Sequence, residues 1–125
     1  MIKENVETRI ITITNQKGGV GKTTSVLNLS TALVRKGYKV IAIDLDSQSN
    51  LTRSFLPKEP KDTLYTFFLE DCTLENILVP VQDNLVLIPC NQKFANFEGS
   101  FSSKIGAHSL LRKFIQKSLL PILHE

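Results

Sequence analysis

The stretch Asn-Gln-Lys-Gly-Gly-Val-Gly-Lys-Thr-Thr at residues 15–24 decides the fold. Its glycines let consecutive backbone N–H groups turn inward around a phosphate, and a helix that starts near Lys22 adds the positive end of its dipole. Lys22 would neutralise β- and γ-phosphate oxygens, and Thr23 would offer its hydroxyl to Mg²⁺. The pattern G-x-x-x-x-G-K-[ST] is broken only at its first position, where Gln16 replaces glycine. The stretch predicts a loop that binds nucleoside phosphates.

The segments around this loop indicate an α/β fold. Residues 9–14 form a short β-branched run, typical of a strand, and residues 23–36 carry apolar side chains at helical spacing, ahead of Gly37 as a C-terminal cap. Residues 39–45 contain an unbroken apolar run, as expected for a parallel strand buried on both faces. Ligands gather at the carboxyl ends of strands in open α/β sheets, which is where the loop begins. The expected nucleotide contacts are Gly18, Gly19, Val20, Gly21, Lys22, Thr23 and Thr24.

The remainder of the chain continues this alternation. Residues 47–63 are polar and contain prolines, which predicts a loop with at most a short helical turn. Residues 64–69 are predicted to be helical, and residues 85–88 to form a third strand that stops at Pro89. A last helix, which Pro121 should end or kink, is predicted from an apolar stripe. The stripe consists of Leu110, Leu111, Phe114, Ile115, Leu119 and Ile122.

Two acidic residues follow the second predicted strand. Asp44 and Asp46 are two apart, and residues two apart in a strand share a face. One carboxylate can hold Mg²⁺ through water while the other orients an attacking water, which is the division of labour that phosphoryl transfer requires. The sequence therefore predicts a second part of the nucleotide site at this strand end.

Composition restricts the class of protein. The chain has 125 residues, of which 42% are hydrophobic and 22% charged, and this suits one soluble globular domain. Its apolar runs are shorter than the ~20 residues that span a bilayer, and no secretory segment is visible, so we expect a cytoplasmic protein. Cys72 and Cys90 lack metal-ligand spacing, as expected for reduced thiols. The net charge of +3 does not by itself indicate nucleic-acid binding.

The lysine that precedes the double glycine carries a family resemblance. Lys17 stands too early to join Lys22 on one phosphate, and its position resembles the deviant Walker A loop of the ParA/MinD ATPases. The resemblance implies that Lys17 reaches across a dimer interface to the partner's nucleotide. The Asn15-Gln16 pair is similar to the ParA branch, because the MinD branch usually carries glycine where Gln16 stands.

The acidic segment strengthens the resemblance. It is similar to the D-x-D-P-Q-x-N stretch of ParA proteins, although Ser47 stands in place of the proline and Ser49 in place of the glycine. By this resemblance Asp46 is the catalytic, water-positioning acid, which leaves Asp44 and Thr23 for the metal. Lys17 and Lys22 are the other residues that the resemblance assigns to catalysis.

The resemblance implies a fold and a mode of action. The fold would be a P-loop NTPase domain with a mostly parallel sheet between two layers of helices. Mg-ATP would close a homodimer that binds nonspecific DNA on the nucleoid, and a centromere-bound ParB-like partner would stimulate hydrolysis. Plasmids or chromosomes would be segregated in this way, without a membrane partner.

The length of the chain differs from the family's. ParA-like proteins continue with an apolar strand that ends in the Walker B aspartate, and it lies between the strands predicted at residues 9–14 and 39–45. The resemblance implies that residues 1–125 are a single, partial P-loop domain, truncated before this strand. Each buried backbone group left unpaired would cost about 1–3 kcal/mol, so we expect a marginally stable chain unless it rearranges or borrows a strand.

Three alternatives share the phosphate loop. A MinD-like regulator, or an ATPase that positions another cargo, would be separated from ParA by a C-terminal amphipathic membrane helix. A small-molecule ligase or kinase of the dethiobiotin synthetase type would not need Lys17. A non-catalytic nucleotide-binding protein that pairs with a full-length homologue would show no ordinary ATPase turnover.

Overall fold

A computed structural model of the chain describes residues 7–14, 21–96 and 105–123. Its helices are α1 (Lys22–Arg35), α2 (Asn50–Phe55), α3 (Leu64–Phe68), α4 (Leu74–Ile77), α5 (Ile105–Phe114) and α6 (Leu120–Leu123). Its strands are β1 (Val40–Ile43), β2 (Val79–Gln82) and β3 (Leu85–Ile88). A 3₁₀ turn spans Gln92–Phe94, and a π-helical turn spans Ile115–Leu119 between α5 and α6.

The described strands form one mixed sheet in the order β1-β3-β2. β1 and β3 pair in parallel, with Val40 opposite Leu85 and Ile43 opposite Ile88. β2 returns antiparallel along the other side of β3 and is irregular between Pro80 and Gln82. A proline has no N–H for a ladder, so an edge position suits β2. The sheet is therefore less purely parallel than the sequence predicts.

Helices cover both faces of the sheet. On one face, Ala42, Leu85 and Leu87 form a core with Leu51 of α2, and Val26 and Leu27 of α1 pack against it. On the other face, Ile88 packs with residues of α3, α4, α5 and the π turn. These residues are Leu64, Ile77, Phe114 and Leu119. The layers follow from strand geometry, because neighbouring side chains of β3 point to opposite faces. The predicted three-layer α/β/α arrangement is confirmed.

The first crossover is built as the sequence predicts. α1 ends in a turn in which the Gly37 N–H donates to the Val34 carbonyl at 2.9 Å and the Tyr38 N–H donates to the Leu33 carbonyl at 3.1 Å. Gly37 has a φ of +92°, a left-handed conformation that a side chain disfavours. Glycine at this position lets the chain leave α1 and enter β1 within a few residues.

The strand predicted for residues 9–14 is wrong. These residues are described but form no strand, and Ile10 and Ile11 are 65% and 58% exposed. A strand requires a neighbour for its backbone N–H and C=O groups, whereas β1 pairs with β3 alone in the described part of the chain. β-branched composition therefore does not produce a strand here, because the open edge of β1 is not bridged to residues 9–14.

The last helix also departs from the predicted stripe. Phe114 and Leu119 are buried, but Leu110 is 38% exposed, so its inclusion in the stripe is wrong. Residues five apart would diverge by about 140° in a regular α-helix, and the π turn widens the helix so that Phe114 and Leu119 reach one core. Pro121 does not end the helix, which runs on through α6 to Leu123.

The predictions for β1, β3, α1 and α3 are confirmed to within a few residues, and α2 is the short helical turn allowed in the loop. β2 and α4 were not predicted. None of the helices in residues 7–14, 21–96 and 105–123 has the length and apolar character needed to cross a bilayer.

We predict that an isoleucine-to-valine substitution lowers the free energy of unfolding when it is made in the buried core but not when it is made in residues 9–14. Ile77 is fully buried, so Ile77→Val should lower the free energy of unfolding by about 0.5–1.5 kcal/mol. Ile11→Val removes the same methylene from an exposed residue and should change it by less than about 0.5 kcal/mol. Urea unfolding of both variants measures this difference. Equal losses would mean that residues 9–14 are packed in solution.

Candidate functional site

The amino-terminal end of α1 is shaped to receive an anion. Gly21 precedes the helix with a φ of +88°, and its carbonyl accepts the Ser25 N–H at 2.8 Å. Gly21 at the N-cap has no side chain that could cap the helix, and no acidic residue lies in the first turn. The first N–H groups of a helix and its dipole together attract negative charge.

The described site residues of the phosphate loop lie together at this helix end. Lys22 and Thr23 are half-buried, and Thr24 is exposed. The start of the helix near Lys22 is confirmed. Residues 15–20 lie outside the described part of the chain, so the roles assigned to Lys17, Gly18, Gly19 and Val20 stay predictions.

An ion pair joins this helix end to the carboxyl end of β1. Lys22 Nζ lies 2.9 Å from Asp46 Oδ2 and donates a hydrogen bond to it. The two side chains are 34% and 31% exposed, so water still reaches the pair. Two of the predicted site residues, separated by 24 positions in the sequence, are thus in direct contact, and this contact was not itself predicted.

Asp46 is held in its ionised form. Burial raises the pKa of its carboxyl group, but the hydrogen bond from the Gln48 N–H and the pairing with Lys22 outweigh burial and leave the pKa below its usual range. The Gln48 N–H donates to Oδ1 at 2.9 Å, so each carboxylate oxygen has its own donor. At neutral pH the site therefore contains a carboxylate acceptor beside the lysine ammonium.

Asp44 has a different environment. It is only 4% exposed, and its Oδ2 accepts the Thr52 N–H at 3.0 Å and the Thr52 hydroxyl at 2.6 Å. Its Oδ1 accepts the Asp46 N–H at 3.1 Å. No ion pair to Asp44 occurs within the described ranges. The carboxylate of Asp44 is thus buried and accepts three hydrogen bonds, as a buried polar group requires.

The prediction that Asp44 and Asp46 share one face of a strand is wrong. β1 ends at Ile43, so neither Asp44 nor Asp46 belongs to a strand, and strand alternation does not set their directions. Asp44 turns toward the start of α2, and Asp46 turns toward α1. The two carboxylates stay close in sequence but contact different elements.

Sequence reasoning missed Thr52. This residue is 1% exposed, and its hydroxyl oxygen also accepts the Cys90 N–H at 2.9 Å. It therefore connects the carboxyl ends of β1 and β3 to the first turn of α2. The local sequence carries no signal for this role, because Thr52 lies between Leu51 and Arg53 in a mostly polar helical turn and its partners lie 8 and 38 residues away.

The donor set fits a magnesium–nucleotide complex. Oxygen ligands are what Mg²⁺ prefers: Thr23 offers a hydroxyl in the first turn of α1, Asp46 a carboxylate beside Lys22, and Asp44 a carboxylate two residues before it in the sequence. No group of three or more histidine, cysteine, aspartate or glutamate side chains able to hold a metal occurs among the described residues. A metal here would accordingly share its coordination with phosphate and water, which is how Mg²⁺ is usually bound beside nucleotides.

Comparison with known proteins identifies the family to which this chain belongs. A family model described as an AAA domain matches residues 8–120. The chromosome-partitioning ATPase Soj of Thermus thermophilus is 34% identical over 108 residues, which cover 86% of this chain and 41% of the relative. The chain spans under half of the length of the first curated relatives that it matches.

Solved structures agree with this match. A plasmid partition protein from Borrelia burgdorferi superposes with a TM-score of 0.67 at 33% identity, covering 86% of this chain and 48% of the other. Cobyrinic acid a,c-diamide synthase from Mycobacterium smegmatis, solved with an ATP analogue and magnesium, superposes with a TM-score of 0.71 at 32% identity, covering 83% and 43%. With its phosphate-loop lysine paired to the aspartate that follows β1, the chain belongs to the AAA-domain family of ParA/MinD-type ATPases.

Proposed function

We propose that this chain is the phosphate-binding part of a ParA-type partition ATPase that binds and hydrolyses Mg-ATP. The observation that carries the proposal is the 2.9 Å contact between Lys22 Nζ and Asp46 Oδ2 at the start of α1. A lysine that would neutralise phosphates thus lies beside an ionised carboxylate that would act in phosphoryl transfer, and this supports the proposal. In the proposed domain organisation, residues 1–125 form a single, partial P-loop domain.

Nucleotide binding would exchange one anion for another at Lys22. The Lys22 ammonium donates to Asp46, and on nucleotide binding a β- or γ-phosphate oxygen would replace Asp46 as its acceptor. The exchange is energetically accessible because half-exposed ion pairs contribute only about 0–1 kcal/mol. The N–H groups of α1 and of Gly18, Gly19, Val20 and Gly21 would surround the phosphates, beside Thr24.

Thr23 and Asp44 would hold Mg²⁺, which supplies charge neutralisation at the phosphates when bound. The solved structures of similar proteins with an ATP analogue and magnesium, and of a Cyanothece McdA variant with ATP, support Mg-ATP as the ligand. Asp46, once Lys22 has turned to the phosphates, would be free to accept a hydrogen bond from the attacking water. Lys17 would act on the nucleotide of the other subunit of an ATP-bound homodimer.

The cellular role follows by similarity to the partition proteins. The ATP-bound dimer would bind nonspecific DNA on the nucleoid, and a ParB-like centromere-binding partner would stimulate hydrolysis and release. The relatives include proteins named for chromosome partitioning and for plasmid partition, so either cargo suits this chain.

A ligase-type enzyme is a second candidate because of one observation. The synthase from Mycobacterium smegmatis superposes at least as well as the partition protein does, with TM-scores of 0.71 and 0.67. The fold is therefore shared by both chemistries. Lys17 separates them, because a partition ATPase requires it in the partner's site and a synthase does not. ATP turnover that survives Lys17→Ala would favour the synthase.

We predict that Mg-ATP stabilises the chain through Lys22. At 100 times its dissociation constant a ligand should stabilise the folded state by ~2.7 kcal/mol, which thermal melts with and without Mg-ATP would detect. Lys22→Ala should abolish this shift because the phosphate charge loses its partner. Lys36→Ala, at the opposite end of α1 and exposed, is the matched control and should keep it. A Mg-ATP shift that persists in Lys22→Ala would contradict the proposal.

We predict the opposite behaviour for Asp46. Asp46→Asn removes the acceptor that competes for Lys22, so Mg-ATP should bind with parental or up to roughly fivefold tighter affinity. Turnover in any active assembly should be lost, because the amide is a poorer acceptor for the attacking water. Equilibrium titration with a fluorescent ATP analogue measures the affinity, and phosphate release measures turnover. A dissociation constant that rises tenfold would show that Asp46 binds the nucleotide rather than competing with it.

A further inference from the structure

Thr52 takes part in three hydrogen bonds beside the site, and none of these three involves Lys22. Its hydroxyl accepts the Cys90 N–H and donates to Asp44 Oδ2, and its own N–H donates to the same oxygen. Every polar group of Thr52 that faces the sheet edge is thus engaged. The residue is 1% exposed, so water does not substitute for any of these partners.

The end of β3 explains why the hydroxyl is needed. Ile88 still belongs to the ladder, since its carbonyl accepts the Asp44 N–H at 3.1 Å. Pro89 has no N–H, and the next donor, the Cys90 N–H, turns to Thr52. A buried backbone N–H requires an acceptor, so the Thr52 hydroxyl closes the sheet edge on this side.

A helix cap alone does not account for the arrangement. Ser49 precedes α2 without a side-chain cap bond, and Asp44 satisfies the Thr52 N–H in its place. That bond would suffice for capping. The additional hydroxyl bond of 2.6 Å fixes the rotation of the Asp44 carboxylate, and the other oxygen of that carboxylate holds the Asp46 N–H.

We propose that Thr52 is a positioning residue of the nucleotide site: through its hydroxyl it orients Asp44, and through Asp44 it fixes the backbone at Asp46. This inference rests on the proposed function, because it assigns Asp44 and Asp46 to the Mg-nucleotide. Substituting a residue that hydrogen-bonds to a metal-binding carboxylate typically lowers the metal affinity 10–100-fold. Thr52 acts in this way on Asp44 and does not touch the nucleotide.

The first test is made without nucleotide. Hydrogen exchange of the Asp46 amide, measured by NMR, should be roughly fivefold faster in Thr52→Val, because the acceptor Asp44 is released from its fixed rotamer and about one hydrogen bond is lost. Thr52→Ser retains the hydroxyl and should restore the parental rate. Two control variants should leave the Asp46 rate unchanged. They are Thr63→Val, a buried threonine at the start of α3 on the other core, and Ile77→Val, a comparable loss of stability elsewhere.

The second test divides the ATP affinity into its metal-dependent and metal-independent parts. The dissociation constant of ATP is measured with Mg²⁺ and with a chelator, and their ratio is the gain due to the metal. Thr52→Val should reduce this ratio at least roughly tenfold while the chelator value stays parental, and Thr52→Ser should preserve the ratio. If Thr52 had only a structural role, both dissociation constants would rise by the same factor in Thr52→Val.

The outcomes discriminate clearly. An unchanged ratio in Thr52→Val, or an Asp46 exchange rate that Ile77→Val raises equally, overturns the positioning role and leaves the proposed function intact. Absence of Mg-ATP binding by the parent overturns the proposed function and the role of Thr52 with it. If Thr52→Val does not melt cooperatively, Thr52→Ala takes its place. If both fail to fold while Thr52→Ser folds, the hydroxyl is structural and the proposal is overturned.

Discussion

The parallel pairing of β1 with β3 is the constraint on which the rest of the structure depends. It brings the carboxyl ends of two strands to one edge, where Asp44 and Cys90 are close enough to share Thr52. It also divides the side chains between two cores, one beneath α1 and α2 and one beneath α3, α4 and α5. The position of Lys22 follows, because α1 is fastened to one face of this pair through Val26 and Leu27.

Local patterns predicted the elements whose partners are near in sequence. α1, its glycine turn at Gly37 and the buried β3 each depend on spacing or on conformational preferences that a short window contains. The failures depend on distant partners. Residues 9–14 have the composition of a strand but pair with no other described strand, and β2 contains Pro80, which is compatible with a strand only at an edge. The π turn changes the helix phase between Phe114 and Leu119, and regular helical spacing does not predict that both reach one core.

The same division applies to the site. Residue type and position, in the phosphate loop or directly after β1, are sufficient to predict Lys22, Asp44 and Asp46 as candidate site residues. Thr52 was not predicted, because its role exists only where chain segments 8 and 38 residues away meet. The sequence identifies Ser49 as a replacement for the glycine of the similar ParA segment but does not give its conformation. Ser49 adopts a φ of +59°, which explains why the similar ParA segment uses glycine there, and its hydroxyl donates to the Ser47 carbonyl at 3.2 Å.

Asp44 and Asp46 differ in exposure and in hydrogen-bond partners, and their spacing in the sequence does not predict this difference. Asp46 is partly exposed and paired with Lys22 in a contact weak enough for a phosphate to displace. Asp44 is buried and fixed by three hydrogen bonds, and removing any of these donors would leave a charge that water cannot reach. Under the proposed function, Lys22 would exchange Asp46 for a phosphate while Asp44 keeps its partners, which requires both kinds of carboxylate. The bond from the Asp46 N–H to Asp44 would then hold the backbone at Asp46 in place after Lys22 has left.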